Sequence, residues 1–160
     1  MPPLLRQVYW ASFSNPCCNV FKPFYMHGPK VPDRYAVGTS TYSEDSPWWW
    51  ANRVKLLCDL NYKALAPSAR AVFSRTEDWE LQRQQRVEAE ARRLIDQGAA
   101  DQAVALLQEF VDQNTGRVEK EYKMLNETLT TTLETVGIDY VYLNYLKGWT
   151  TQKGVPLPLE

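Results

Sequence analysis

The chain has 160 residues, 18 Lys and Arg against 19 Asp and Glu, and a formal net charge of −1. Its length suits one domain that buries roughly two-thirds of its unfolded surface, and its charge offers no broad attraction to nucleic acid or anionic lipid, so neither is expected as a partner. Hydrophobic residues at 44% and aromatics at 12% predict a packed core. No apolar run approaches the ~20 residues that span a bilayer. Residues Met1 to Arg6 lack the pattern of a secretory signal. Three cysteines, two of them adjacent, fit a reducing compartment, for which the cytoplasm is the expectation.

Seven of the ten prolines fall within residues 1–47, so the chain divides into an irregular N-terminal arm and a helical remainder. Val8, Tyr9, Trp10 and Phe13 give residues 8–14 strand composition, ended by a turn at Asn15-Pro16. A second apolar run, Val20 to Met26, contains Pro23 and belongs at a sheet edge or bulge. Residues 27–45 read as an extended loop with a brief strand near Tyr35 to Val37. Ser46-Pro47 is a helix start, with serine as the cap and proline in the first turn. The helix predicted from there, within 46–66, is apolar over much of its circumference and is broken by Pro67.

A helical hairpin is expected over 68–137. Its first helix carries the capping-box pattern Ser74-Arg75-Thr76-Glu77 and the stripe Val87, Ala91, Leu94 and Ile95, and ends at Gly98. The second runs from about Ala100 to Val136 with Leu107, Phe110, Val111, Val118, Leu125, Leu129, Leu133 and Val136 on one face, Gly116 as a point of interruption and Gly137 at its end. Residues 138–146 suit a short helix or a strand equally, and 150–160 read as a tail. The fold class is therefore α+β, mainly helical, with short N-terminal β segments before a long antiparallel hairpin.

Chemical motifs are few. One histidine, His27, and cysteines at 17, 18 and 58 supply no spaced ligand set, so no metal is expected, and the seven scattered glycines form no phosphate-cradling loop, so no cofactor is called for. A cysteine nucleophile at Cys17 or Cys18 would need His27 as its base. Trp48, Trp49 and Trp50 point about 100° apart on a helix, so one of them meets another element, a ligand or a second polypeptide. They are the candidate interface residues.

The string Val8-Tyr9-Trp10-Ala11-Ser12-Phe13-Ser14-Asn15-Pro16, followed by Asn19-Val20-Phe21-Lys22-Pro23-Phe24-Tyr25, resembles a segment of the cysteine dipeptidases of the dipeptidase A type and their secernin relatives. Tyr42-Ser43-Glu44-Asp45-Ser46-Pro47-Trp48-Trp49-Trp50, leading to Arg53, is similar to the family's downstream pattern of tyrosine, aspartate, serine and paired tryptophans. The resemblance covers residues 8–55. It implies an N-terminal-nucleophile hydrolase, in which two stacked sheets lie between helices and a cysteine freed by processing attacks an amide with its own α-amine as base. Met1 and Pro2 stand at the start of this chain, and Cys17 and Cys18 fall within the resembling motif rather than at a processed start, so no catalytic residue is carried over. The resemblance implies the C-terminal portion or subunit of a dipeptidase-like αββα hydrolase, inactive alone. Its partner would be an N-terminal catalytic portion or a second copy, and it would meet peptide substrate only in the complete enzyme. Ser14, Asn15 and Cys17, at a strand-end turn, are the candidate pocket residues, with plain turn formation as their alternative role. The competing function is a non-catalytic helical module that binds a protein through the tryptophans.

Overall fold

A computed structural model describes residues 2–152. A single turn of helix, α1 (Pro3–Arg6), leads into β1 (Val8–Ala11), which pairs antiparallel with β2 (Lys22–Tyr25) in a two-stranded sheet. The Met26 amide donates to the Gln7 carbonyl at 3.1 Å. Bonded and non-bonded pairs alternate from there, which puts Pro23, opposite Trp10, at a non-bonded position where its missing N–H costs the ladder nothing. All four β2 residues are buried, whereas β1 is partly exposed, most of all at Tyr9. Between the strands, Pro16–Cys18 forms a 3₁₀ turn. A second 3₁₀ turn, Asp33–Ala36, stands where a brief strand at Tyr35 to Val37 was expected. The Pro32 carbonyl accepts from the Tyr35 amide at 2.8 Å and sets that turn.

Helix α2 (Pro47–Leu60) starts at Ser46-Pro47 as the sequence predicts, but the Ser46 hydroxyl donates to the Val37 carbonyl at 2.8 Å instead of capping the first amides. Its fully buried stripe is Pro47, Ala51, Val54 and Cys58, narrower than the expected apolar girth. The helix ends at Asn61 and not at Pro67. Helix α3 (Tyr62–Asp96) begins immediately afterwards, with Pro67 inside it and the Ser74 to Glu77 capping pattern lying unused in mid-helix. Asn61 makes the break: its side chain accepts from the Ala64 amide at 3.3 Å and donates to the Gly137 carbonyl at 2.9 Å.

The turn after α3 follows its glycine. Gly98 has φ +78°, its amide donates to the Ile95 carbonyl, and the Ala99 amide donates to the Leu94 carbonyl, the paired bonds of a Schellman ending. Helix α4 (Ala100–Val136) then runs back along α3 without interruption at Gly116, and buries the predicted face from Leu107 to Leu129. Val136, expected on that face, is exposed. Residues left undecided between helix and strand form α5 (Tyr140–Gln152), which takes in the first residues of the expected tail; 153–160 lie outside the described residues. The start of α5 is pinned to α2 by the Asp139 amide, which donates to the Leu60 carbonyl at 2.8 Å.

Two apolar clusters result. One joins α2, the first half of α3 and the second half of α4 around Val54, Phe73, Tyr122 and Leu129. The other lies under the strands near the hairpin turn, around Leu5, Tyr25, Ala91 and Phe110. Gly28, at φ +88°, lets the arm close over the second cluster, since a Cβ there would sit 2.6 Å from Leu4 Cδ2. Gly28→Ala should therefore cost about 1–2 kcal/mol, read as a lowered melting temperature, and an unchanged melt would refute this account.

Candidate functional site

The arm is stitched to α4 by paired polar contacts. The Lys30 amide donates to Gln108 Oε1 at 2.7 Å, Gln108 Nε2 returns a bond to the Lys30 carbonyl at 3.1 Å, and Arg34 pairs with Glu119 at 2.8 Å. Glu119 is buried, and the loss of solvent raises its carboxyl pKa against the opposing pull of Arg34. These contacts hold Tyr35 with its ring 5.2 Å from Phe13 and 5.9 Å from Phe24, and its hydroxyl directed at the Thr115 carbonyl. On the outer side of this wall is an open cleft of about 360 Å³, lined by Phe13, Tyr35, Val37, Thr39 and Trp48. Thr39 already accepts from the Trp49 indole and donates to the Thr41 carbonyl. The cleft is thus apolar and suited to an aromatic or aliphatic side chain.

Behind the wall lies an ionisable pair. Lys22 is buried, with its ammonium 4.8 Å from the Phe13 ring centroid, about 6 Å from those of Tyr35 and Tyr122, and bonded to the Val20 carbonyl. Burial pushes its pKa down to about 8, against the attraction of Glu80 and Glu77. Glu80 of α3 is wholly buried, and neither carboxyl oxygen has a hydrogen-bond partner among the described residues. Burial pushes Glu80 up to about 8, opposed by Lys22 and Arg117. Glu77 accepts from the Phe21 amide at 2.8 Å. Tyr122 donates to Asn19, which in turn donates to the Phe13 carbonyl, so the aromatic wall is tied to the core.

The sequence does not single out Lys22 or Glu80. The signal was nonetheless present: Ala69, Phe73, Thr76 and Glu80 are spaced as one helical stripe, and a carboxylate on that stripe must enter the core.

The named candidates are distributed as follows. Ser14 is exposed at φ +55°, Asn15 accepts from the Cys17 amide at 3.0 Å, and Cys17 is exposed; these are turn-forming positions, and none of the three lines the cleft. Cys17 sits in the 3₁₀ turn of the connection that precedes β2, and His27 follows β2 at the other end of the ladder. His27 instead contacts Gln7 at 3.3 Å. The partners of the two residues differ, and no hydrogen bond joins Cys17 to His27 among the described residues.

Trp48 is 40% exposed, and packs edge to face on Trp49 at 4.7 Å. Trp49 and Trp50 are half-buried, with Tyr42 against both rings and the Trp50 indole bonded to the Glu44 carbonyl. Among the described residues no group of three His, Cys, Asp or Glu could hold a metal ion, and no helix is long and apolar enough to cross a membrane.

Residues 1–75, which contain both strands, the cleft and the run Trp48 to Trp50, match the model of peptidase family C69. The match supports the resemblance to the cysteine dipeptidases and marks this part of the chain as peptidase-related. No curated protein and no solved structure matches the chain.

Proposed function

We propose that this peptidase-related chain is the C-terminal part or subunit of a dipeptidase-like cysteine hydrolase of the N-terminal-nucleophile type, supplying scaffold and a pocket wall but no nucleophile. The observation that carries this reading is the β1–β2 ribbon. Among the described residues each strand pairs only with the other; β2 is buried against the helices, and the free edge is that of β1, where Tyr9 is more than 60% exposed. A two-stranded ribbon is marginal by itself, and the stacked sheets implied by the resemblance would extend it. The cleft would then receive a substrate side chain beside a nucleophile from the completing part. The residues of this chain near the cleft offer binding surface and no cysteine and base pair.

Expressed alone, the chain is expected to release no amino acids from unblocked dipeptides and to self-associate at micromolar concentration. Dipeptide hydrolysis lost in Cys17→Ala, or a monomer by light scattering with one cooperative melt, would overturn the proposal.

A protein-binding module is the second reading, favoured by the exposed edge formed by Tyr42 and Trp48. Trp48→Ala should then weaken capture of a second polypeptide with little change in melting temperature. A large fall in melting temperature would instead assign Trp48 to the core.

A further inference from the structure

The corner where the Pro16–Cys18 turn meets α2 holds a feature unrelated to the cleft. Cys18 and Cys58, one from the arm and one from α2, are both buried within the same apolar cluster. Their thiols hydrogen-bond to each other. Asn15 fixes the turn by accepting from the Cys17 amide through its side chain and from the Cys18 amide through its carbonyl. Tyr62 and Tyr142 pack 5.7 Å apart beside this corner, and the Tyr62 side chain hydrogen-bonds to Cys17. Cys17 itself is exposed.

We propose that Cys18 and Cys58 are a redox pair, which a peroxide converts into a disulfide stapling the strand-bearing arm to α2. The Pro16–Cys18 turn packs on α2, and both side chains are buried in that one cluster, which brings thiols from two separate elements together. The hydrogen bond from Cys58 lowers the pKa of Cys18 and raises that of Cys58, making Cys18 the attacking thiolate. Hydrogen peroxide is small and uncharged, which suits a buried thiol. The Cys18 thiolate attacks one peroxide oxygen and the O–O bond breaks, giving a sulfenic acid and a hydroxide that leaves as water with the Cys18 proton. Cys58 sulfur then attacks Cys18 sulfur; the S–S bond forms, the S–O bond breaks, and a second water leaves with the Cys58 proton. Two thiols lose two electrons and two protons, and one peroxide becomes two waters.

The test uses the reduced full chain, treated with hydrogen peroxide under native conditions, then denatured and alkylated. Two of the three thiols should be lost, reversibly with dithiothreitol. Trypsin should give Gln7–Lys30 linked to Leu56–Lys63, since Lys22 precedes a proline. The link should persist in Cys17→Ser and vanish in Cys58→Ser, where Cys18 gains oxygen instead. The oxidised chain should melt roughly 5–10 °C higher than the reduced one. Three alkylatable thiols after treatment, a link that requires Cys17, or oxygen added to Cys18 of the unsubstituted chain without a link would each overturn the proposal.

Discussion

Glu80→Gln should stabilise the protein at pH 8 and leave it almost unchanged at pH 5. The folded chain holds the Glu80 carboxyl protonated up to about pH 8, whereas the unfolded chain releases that proton near the ordinary value of 4.5. Between those values the folded state binds one proton more, so stability falls as pH rises, by about 1.4 kcal/mol per pH unit. Lys22 acts in the opposite sense above that window. Its pKa is depressed from 10.5 to about 8, so between these values the unfolded state carries the extra proton and stability climbs with pH. The pair therefore places a minimum in its contribution near pH 8. Glutamine is neutral in both states and removes the first limb. Part of the gain is returned because Lys22 loses an attractive neighbour, leaving about 3 kcal/mol, or roughly 10 °C in melting temperature at pH 8. Equal shifts at pH 5 and pH 8, or a loss at pH 8, would show that Glu80 is ionised and satisfied in the fold.

Phe110→Ala is expected to be the most damaging single truncation in the cluster under the strands. Phe110 is 1% exposed on α4, and its ring meets Tyr25 of β2 edge to face at 6.3 Å. Ala91 and Ala103 in the same cluster are too small to fill the space it would leave. A loss of about 3–5 kcal/mol follows, a large share of the 5–15 kcal/mol that holds a typical domain together. The damage should also be uneven. Hydrogen exchange of the ribbon amides, including Met26, should accelerate before that of α4 near Leu129, which belongs to the other cluster. Uniform acceleration across both clusters would mean that they unfold as one unit.

What the sequence disclosed depended on how local the cause was. Gly98, Gly137 and Ser46-Pro47 act within a few residues, and each marks a helix boundary where expected. The failure at Pro67 has a distant cause. The end of α2 is fixed by bonds from Asn61 and Leu60 to the link between α4 and α5, some 76 residues away, which no local pattern reveals. Once α3 starts at Tyr62, Pro67 leaves the Lys63 carbonyl without the helical N–H hydrogen bond it would accept from another residue there, and the burial of Leu65, Ala66, Ala69 and Phe73 outweighs that loss.

The site was legible in the same uneven way. The tryptophan run and the turn at Asn15 could be read as local strings. Lys22 and Glu80 become a site only when β2 lies against α3, and Tyr35 becomes a cleft wall only when α4 lies beneath it.

Tyr122 reaches back 103 residues to Asn19, and Gln108 reaches 78 to Lys30. During synthesis the arm therefore leaves the ribosome long before the surface that covers it exists. For as long as the ribosome takes to make α4, the apolar strings around β1 and β2 stand open to chaperones and to neighbouring nascent chains. Ordering of the arm is then a late event, limited by loop closure over most of the polypeptide, and its rate should respond to changes in α4 more than to changes in the strands themselves.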